Sequence, residues 1–243
     1  MVDIPHNPLE GDKPELNLSL QSNSEEQISI VIVHKDRPEY LNICLQSIAV
    51  TSVNNNYEII VVDNNSGQDS QDFLDEIKDE VTVVKNDKNL FWAEAANKGA
   101  EKADKDSKYI VFMHCDVVIT NPAWLDLLVN VSESSDSGLV GLELQSYFLQ
   151  SQKVDFVQEW LMLTTRDCWE KVGPFNKKLP QIGAPFVFTL DAQSQGFKPQ
   201  VMKNIIAHHY RIFALDINEY ERLIEKAMAT IPEVMRERQS ASV

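Results

Sequence analysis

The chain has 243 residues, 43% hydrophobic and 24% charged, with a formal net charge of -15 at pH 7. That length and composition suit a globular protein able to bury a sizeable core. The acidic balance makes nucleic acid and anionic membrane surfaces poor partners, since both need a basic footprint, and neither is expected. A polyanionic ligand would need a local neutraliser, either a metal or a few placed basic side chains.

Cys44, Cys115 and Cys168 are widely spaced and odd in number, and no Cys-x-x-Cys pair exists, so a structural zinc is not expected. Reduced thiols and a cytoplasmic location fit this usage. The opening "MVDIPHNPLEGDKPELNLSL" has neither a basic start nor an apolar core, so no secretory leader is expected. No stretch is apolar for long enough to span a membrane. Pro5, Pro8, Gly11 and Pro14 interrupt residues 1–27, which lack periodicity and predict a flexible N-terminal arm.

From Ile28 the pattern changes. "ISIVIV" is a continuous β-branched run, as in a strand buried on both faces. The helix that follows starts near Pro38, where Asp36 and Glu39 have capping-box spacing, and Leu41, Leu45 and Ile48 share one face. "YEIIVVD" is a second buried strand ending at Asp63. A short helix over Asp69 to Lys78, the strand "VTVVK" and the alanine-rich helix "WAEAANKGAEKA" come next. Tyr109 to Met113 is a fourth strand, which runs into His114, Cys115 and Asp116, and Pro122 opens another helix. Apolar strands alternating with helices predict a parallel sheet covered on both faces. Ligands of such sheets sit beyond the strands' carboxyl ends, where Asp63 and Asp116 both fall.

The second half is mixed. "SGLVGLEL" and "EWLMLTT" predict strands, and "RDCWEKVG" a short helix closed by Gly173. "APFVFTLDAQSQG" predicts a helix ending at Gly196. "PQVM" and "NIIAHHY" are short strands, and Ile217 to Met228 is amphipathic.

Six segments in this order, "ISIVIVHKDRPEYLNICLQSI", "YEIIVVDNNSGQDS", "KNLFWAEAANKGAEKA", "YIVFMHCDVVI", "LTTRDCWEKVGPFN" and "QGFKPQVMKNIIAHHY", resemble a family-2 glycosyltransferase of the GT-A fold over roughly Ile28 to Tyr210. The resemblance implies an α/β chain with a mostly parallel, Rossmann-like sheet flanked by helices and a smaller mixed acceptor-side subregion. It assigns 28–212 to the glycosyltransferase domain and 213–243 to a C-terminal helical extension. The implied reaction moves a sugar from a nucleoside-diphosphate sugar, most often a UDP-linked one, to a hydroxyl of a glycan, lipid-linked or protein acceptor.

The resemblance also implies site residues. Asp63 matches a position that contacts the nucleotide base, and Asn97 an asparagine near the donor. Asp116 matches the last aspartate of an Asp-x-Asp motif that binds Mn²⁺ or Mg²⁺ beneath the donor diphosphate; hard cations of this kind take oxygen ligands. His114 replaces the first aspartate and is counted with the donor-binding residues. A histidine after a short strand completes the metal shell. Adjacent strand residues face opposite ways, so one of His208 and His209 should reach it. His208 is favoured, with Ile206 on its face, and His209 is the reserve.

The pattern breaks at the base. The acidic pair of the resemblance falls at Ala184 and Pro185. Asp191, about two helical turns further on, and Glu159, beside Trp160 at the implied sugar wall, are the replacements considered. A different stereochemical route, or a module that binds donor without transferring it, remains open beside them. The loop "HKDRPEY" contains no glycine, which speaks against a nucleotidyltransferase or a dinucleotide-binding enzyme.

Overall fold

Four apolar runs form one side of a single sheet. The computed structural model describes residues 27–52, 55–149, 152–202, 206–211 and 217–241; the arm expected over 1–27 lies outside them except for Gln27. In chain order come β1 (Gln27–His34), α1 (Pro38–Thr51), β2 (Asn56–Asp63), α2 (Gln68–Ile77), β3 (Thr82–Lys85), α3 (Phe91–Ala100) and β4 (Tyr109–His114). β1 pairs in parallel with both β2 and β4, and β2 with β3. Their carboxyl ends are level: His34 lies opposite Asp63, and Val33 opposite His114.

The remaining elements are β5 (Val117–Ile119), α4 (Trp124–Ser134), β6 (Leu139–Gly141), β7 (Leu144–Leu149), β8 (Gln152–Val157), β9 (Leu161–Thr165), α5 (Arg166–Val172), α6 (Ala184–Ser194), β10 (Gln200–Val201), β11 (Ala207–His209) and α7 (Ile217–Ala241). The main sheet has seven strands in the order β10-β6-β9-β4-β1-β2-β3. β9 runs antiparallel to β4 and β6, so this half is mixed. β7 and β8 form a separate hairpin, and β11 pairs with β5.

Alternation along β1 divides the core. Ile28, Ile30 and Ile32 pack against Leu41, Leu45 and Ile48 of α1 and Trp124 of α4. Val31 faces the other layer, with Trp92 and Ala96 of α3, Phe186 and Phe188 of α6 and Ile231 of α7. α3 lies so close to the sheet that a Cβ on Gly99 would run into Val31 and come within 2.9 Å of Val62. That contact explains a helix made of small residues.

Two expectations change. The capping box at Asp36 and Glu39 does not form: Arg37, with φ 60, is the N-cap and offers no side-chain cap. Asp36 instead accepts from the backbone N–H of Gly67 (2.8 Å), tying the loop after β1 to the loop after β2. The single strand expected in "SGLVGLEL" is two. β6 ends at Gly141, where a Cβ would collide with Val157, and the chain leaves the sheet for the hairpin. α7 packs on the body of the fold, with Ala227, Ile231 and Val234 buried in the second layer. Among the described residues no helix is long and apolar enough to cross a membrane.

Candidate active site at the sheet rim

β4 delivers His114 to the carboxyl rim, and a tight turn places Cys115 and Asp116 before β5 begins. β11 returns antiparallel to β5, with His209 opposite Val117 and His208 opposite Val118. The backbone N–H of Tyr210 donates to the carbonyl of Asp116 (3.0 Å), which locks the register. His209 Nε2 consequently stands 3.3 Å from Asp116 Oδ1, and His114 Nδ1 stands 4.0 Å from the same oxygen. One donor atom from each of the three residues lies within 4.8 Å of the others.

The surroundings suit a cation. Burial pushes His114 down to about 4 against the opposing charge of Asp116, so its ring is neutral at pH 7. Its Nε2 is buried without a hydrogen-bond partner. His209 is stacked on Trp160, with ring centroids 5.1 Å apart and planes 13° from parallel. Trp160 Nε1 in turn donates to Glu143 Oε2 (3.3 Å). The Trp160 carbonyl accepts from the N–H of His114 (3.1 Å), so one residue braces both imidazoles. Two nitrogens and a carboxylate oxygen are a donor set that first-row divalent cations accept, and the residues present fit such an ion.

A cavity of about 550 Å³ opens over this group. Its basic lining residues are Lys35, Arg37 and Arg211, and its acidic ones Asp116, Glu143 and Glu159. A chain that carries -15 overall thus presents a charge-balanced pocket. Its apolar lining includes Pro185 and Phe186 at the start of α6 and Met228 and Ile231 of α7. Glu159 is half-buried there, and burial raises its carboxyl above the ordinary range, partly offset by a hydrogen bond from its own backbone and by His209.

Residues 29–189 match the model of glycosyl transferase family 2. The chain belongs to this family. O-antigen biosynthesis protein RfbC of Myxococcus xanthus is 28% identical over 119 residues, which is 49% of this chain and 9% of that protein. Among solved structures, the mannosyltransferase PcManGT of Pyrobaculum calidifontis, in complex with GDP-Man and Mn²⁺, superposes with a TM-score of 0.63 at 13% identity, over 79% of this chain and 59% of that one. TarS of S. aureus, residues 1–349, gives 0.58 at 11% identity, over 83% and 70%. At such identities these structures speak for the GT-A fold alone.

Against that family, several expected site residues stand elsewhere. His208 is the face-out member of the pair: it is exposed and its ring packs edge-on to Tyr210. Ile206 is buried but precedes β11, so strand parity does not link it to His208. Asp63 does not line the cavity. Its carboxylate accepts from the N–H of Ser66 (3.2 Å) and from Gln71 Nε2 (2.6 Å), closing the turn after β2; its neighbour Asn64 lines the cavity instead. Asn97 is also turned inward. Its amide donates to the carbonyl of Phe175 and accepts from the N–H of the same residue, each at 2.9 Å. Asp191 lies in the C-terminal half of α6, away from the lining residues. Glu159, Trp160, His114, Asp116 and His209 do line the cavity. Glu143, Lys35, Arg37 and Arg211 escaped the sequence reading. The available signal was position: Glu143 follows the end of β6 by two residues, and Lys35 and Arg37 follow β1, all on the same rim.

Proposed function

We propose that this glycosyltransferase moves a sugar from a nucleoside-diphosphate sugar, a UDP-linked one, to an acceptor hydroxyl with inversion at the anomeric carbon. The observation that carries the reading is the meeting of Asp116 and His209, 3.3 Å apart, at the floor of the cavity. Those two residues would hold a divalent cation, Mn²⁺ or Mg²⁺, which supplies charge neutralisation for the departing nucleoside diphosphate. Lys35 and Arg37, on the loop after β1, add positive charge beside the same anion. Trp160 offers a ring face to the sugar while its N–H stays on Glu143.

Glu159 is the proposed base. Its carboxylate takes the proton of the acceptor hydroxyl as that oxygen bonds to the anomeric carbon and the bond from that carbon to the phosphate oxygen breaks. A carboxyl raised by burial is better matched to this task near neutral pH than an exposed one. Asp191, outside the lining, is not needed.

A second reading has its own support. Ala184 and Pro185 are buried where the resemblance places an acidic pair, as in a domain that binds donor without transferring it. Incubation with a panel of nucleoside-diphosphate sugars and Mn²⁺ separates the two. Release of nucleoside diphosphate, stopped by EDTA, is the expected result; tight donor binding with no release across the panel favours the binding module.

A further inference from the structure

We infer that His114 is a third cation ligand in this chain, and that with His209 and Asp116 it makes the site discriminate against Mg²⁺ in favour of Co²⁺, Zn²⁺ and, less strongly, Mn²⁺. The inference rests on the proposed donor-diphosphate site and sets its metal preference.

The geometry is specific. His114 ends β4, and its backbone is fixed by pairing opposite Val33 and by the hydrogen bond to Trp160. Its ring is boxed by Trp92, at 6.4 Å between centroids, and by His209, at 5.3 Å. Within that box Nδ1 faces Asp116, while Nε2 has no protein partner. A neutral ring that keeps its proton on Nε2 leaves the Nδ1 lone pair free for a cation beside Asp116. His208 makes the contrast: it is exposed and lies outside the cluster.

Chemistry converts this placement into selectivity. Mg²⁺ demands near-octahedral oxygen ligation and sheds water reluctantly. Each imidazole that replaces a carboxylate moves the site toward metals that bind nitrogen well, in the order Mn²⁺ below Co²⁺ among first-row ions. A carboxylate at position 114 would leave one nitrogen and two acidic oxygens. The imidazole there gives two nitrogens and one.

The test uses the full chain stripped with chelator. Pulsed electron paramagnetic resonance of bound Mn²⁺ counts coordinated imidazole nitrogens; calorimetric titration gives affinities for Mg²⁺, Mn²⁺ and Co²⁺. Two nitrogens are expected in the wild-type chain and in His208→Ala, and one in His114→Asp. The Co²⁺-to-Mg²⁺ affinity ratio should fall at least about tenfold in His114→Asp, the low end of what removing even an outer-shell partner costs. One nitrogen in the wild-type chain, or an unchanged ratio in the variant, overturns the assignment of His114 and leaves the rest of the site standing. Failure of every cation to bind, with nucleoside diphosphate present, overturns the reading of the rim itself. The nitrogen count on the wild-type chain needs no variant, so poor folding of His114→Asp does not remove the test.

Discussion

Burial sets the chemistry of single residues here. Glu159→Gln should lower turnover by about 10²-fold or more if the carboxylate takes the acceptor's proton, while cation titrations stay unchanged; Asp191→Asn, away from the cavity, should leave both near wild type. Steady-state rates beside calorimetry would check the pair. His34 carries a pH effect. It is fully buried, its Nε2 meets Ser70 Oγ at 3.1 Å, and desolvation lowers its pKa from 6.5 to about 4 despite the charges of Asp63 and Asp36. The unfolded chain therefore binds the extra proton first as pH falls. Stability from this residue is complete above pH 6.5 and is lost on the way down to about 4; at about 1.4 kcal/mol per pKa unit the loss is roughly 3 kcal/mol. His114 acts in the same direction. Urea unfolding of the metal-free chain should weaken between pH 7 and pH 4.5, and His34→Asn should reduce that slope without abolishing it. Asp116 was legible in the sequence because a carboxylate closing a buried strand needs a reason. The choice between His208 and His209 was not, because side-chain alternation starts only where the strand starts.

Two elements hold the site from behind. α3 reaches across to the loop that follows α5 through Asn97, whose amide satisfies both backbone groups of Phe175. Asn97→Ala leaves those groups buried and unpaired. It should cost about 2 kcal/mol, read as a lower thermal midpoint, with nucleotide affinity unchanged. A weakened affinity at unchanged stability would instead return Asn97 to the donor site. α7 closes the apolar lining through Ile231, which is buried and packs so near Gly183 that a Cβ there would come within 3.0 Å of it. Ile231→Ala should cost about 2–5 kcal/mol, measurable by chemical denaturation; a silent substitution would mean the helix packs only loosely. Periodicity revealed α7 and the alternating strands and helices of the first half. It missed the β7–β8 hairpin, because an apolar run broken by one glycine looks the same whether the chain continues in the sheet or leaves it. The bond from Asn97 to Phe175 was also out of its reach, since a partner 78 positions away leaves no local pattern.

At the scale of the molecule, topology does the assembling. Parallel pairing of β3, β2, β1 and β4 brings their ends to one rim, and the antiparallel return of β11 beside β5 supplies the distant imidazole. The parallel sheet and its carboxyl rim were readable from the alternation of elements; the strand order was not, and neither was the charge balance of the pocket, which depends on which few of the chain's 22 basic residues reach the rim. An acidic protein that grips a diphosphate must concentrate positive charge at one place, and a cation on Asp116 and His209 would do so. Calorimetric titration of UDP into the wild-type chain and Asp116→Ala, each with and without Mn²⁺, addresses this most directly. Mn²⁺-dependent binding that Asp116→Ala abolishes is the expected result; identical isotherms for the two proteins would show that Asp116 holds no cation beneath the diphosphate.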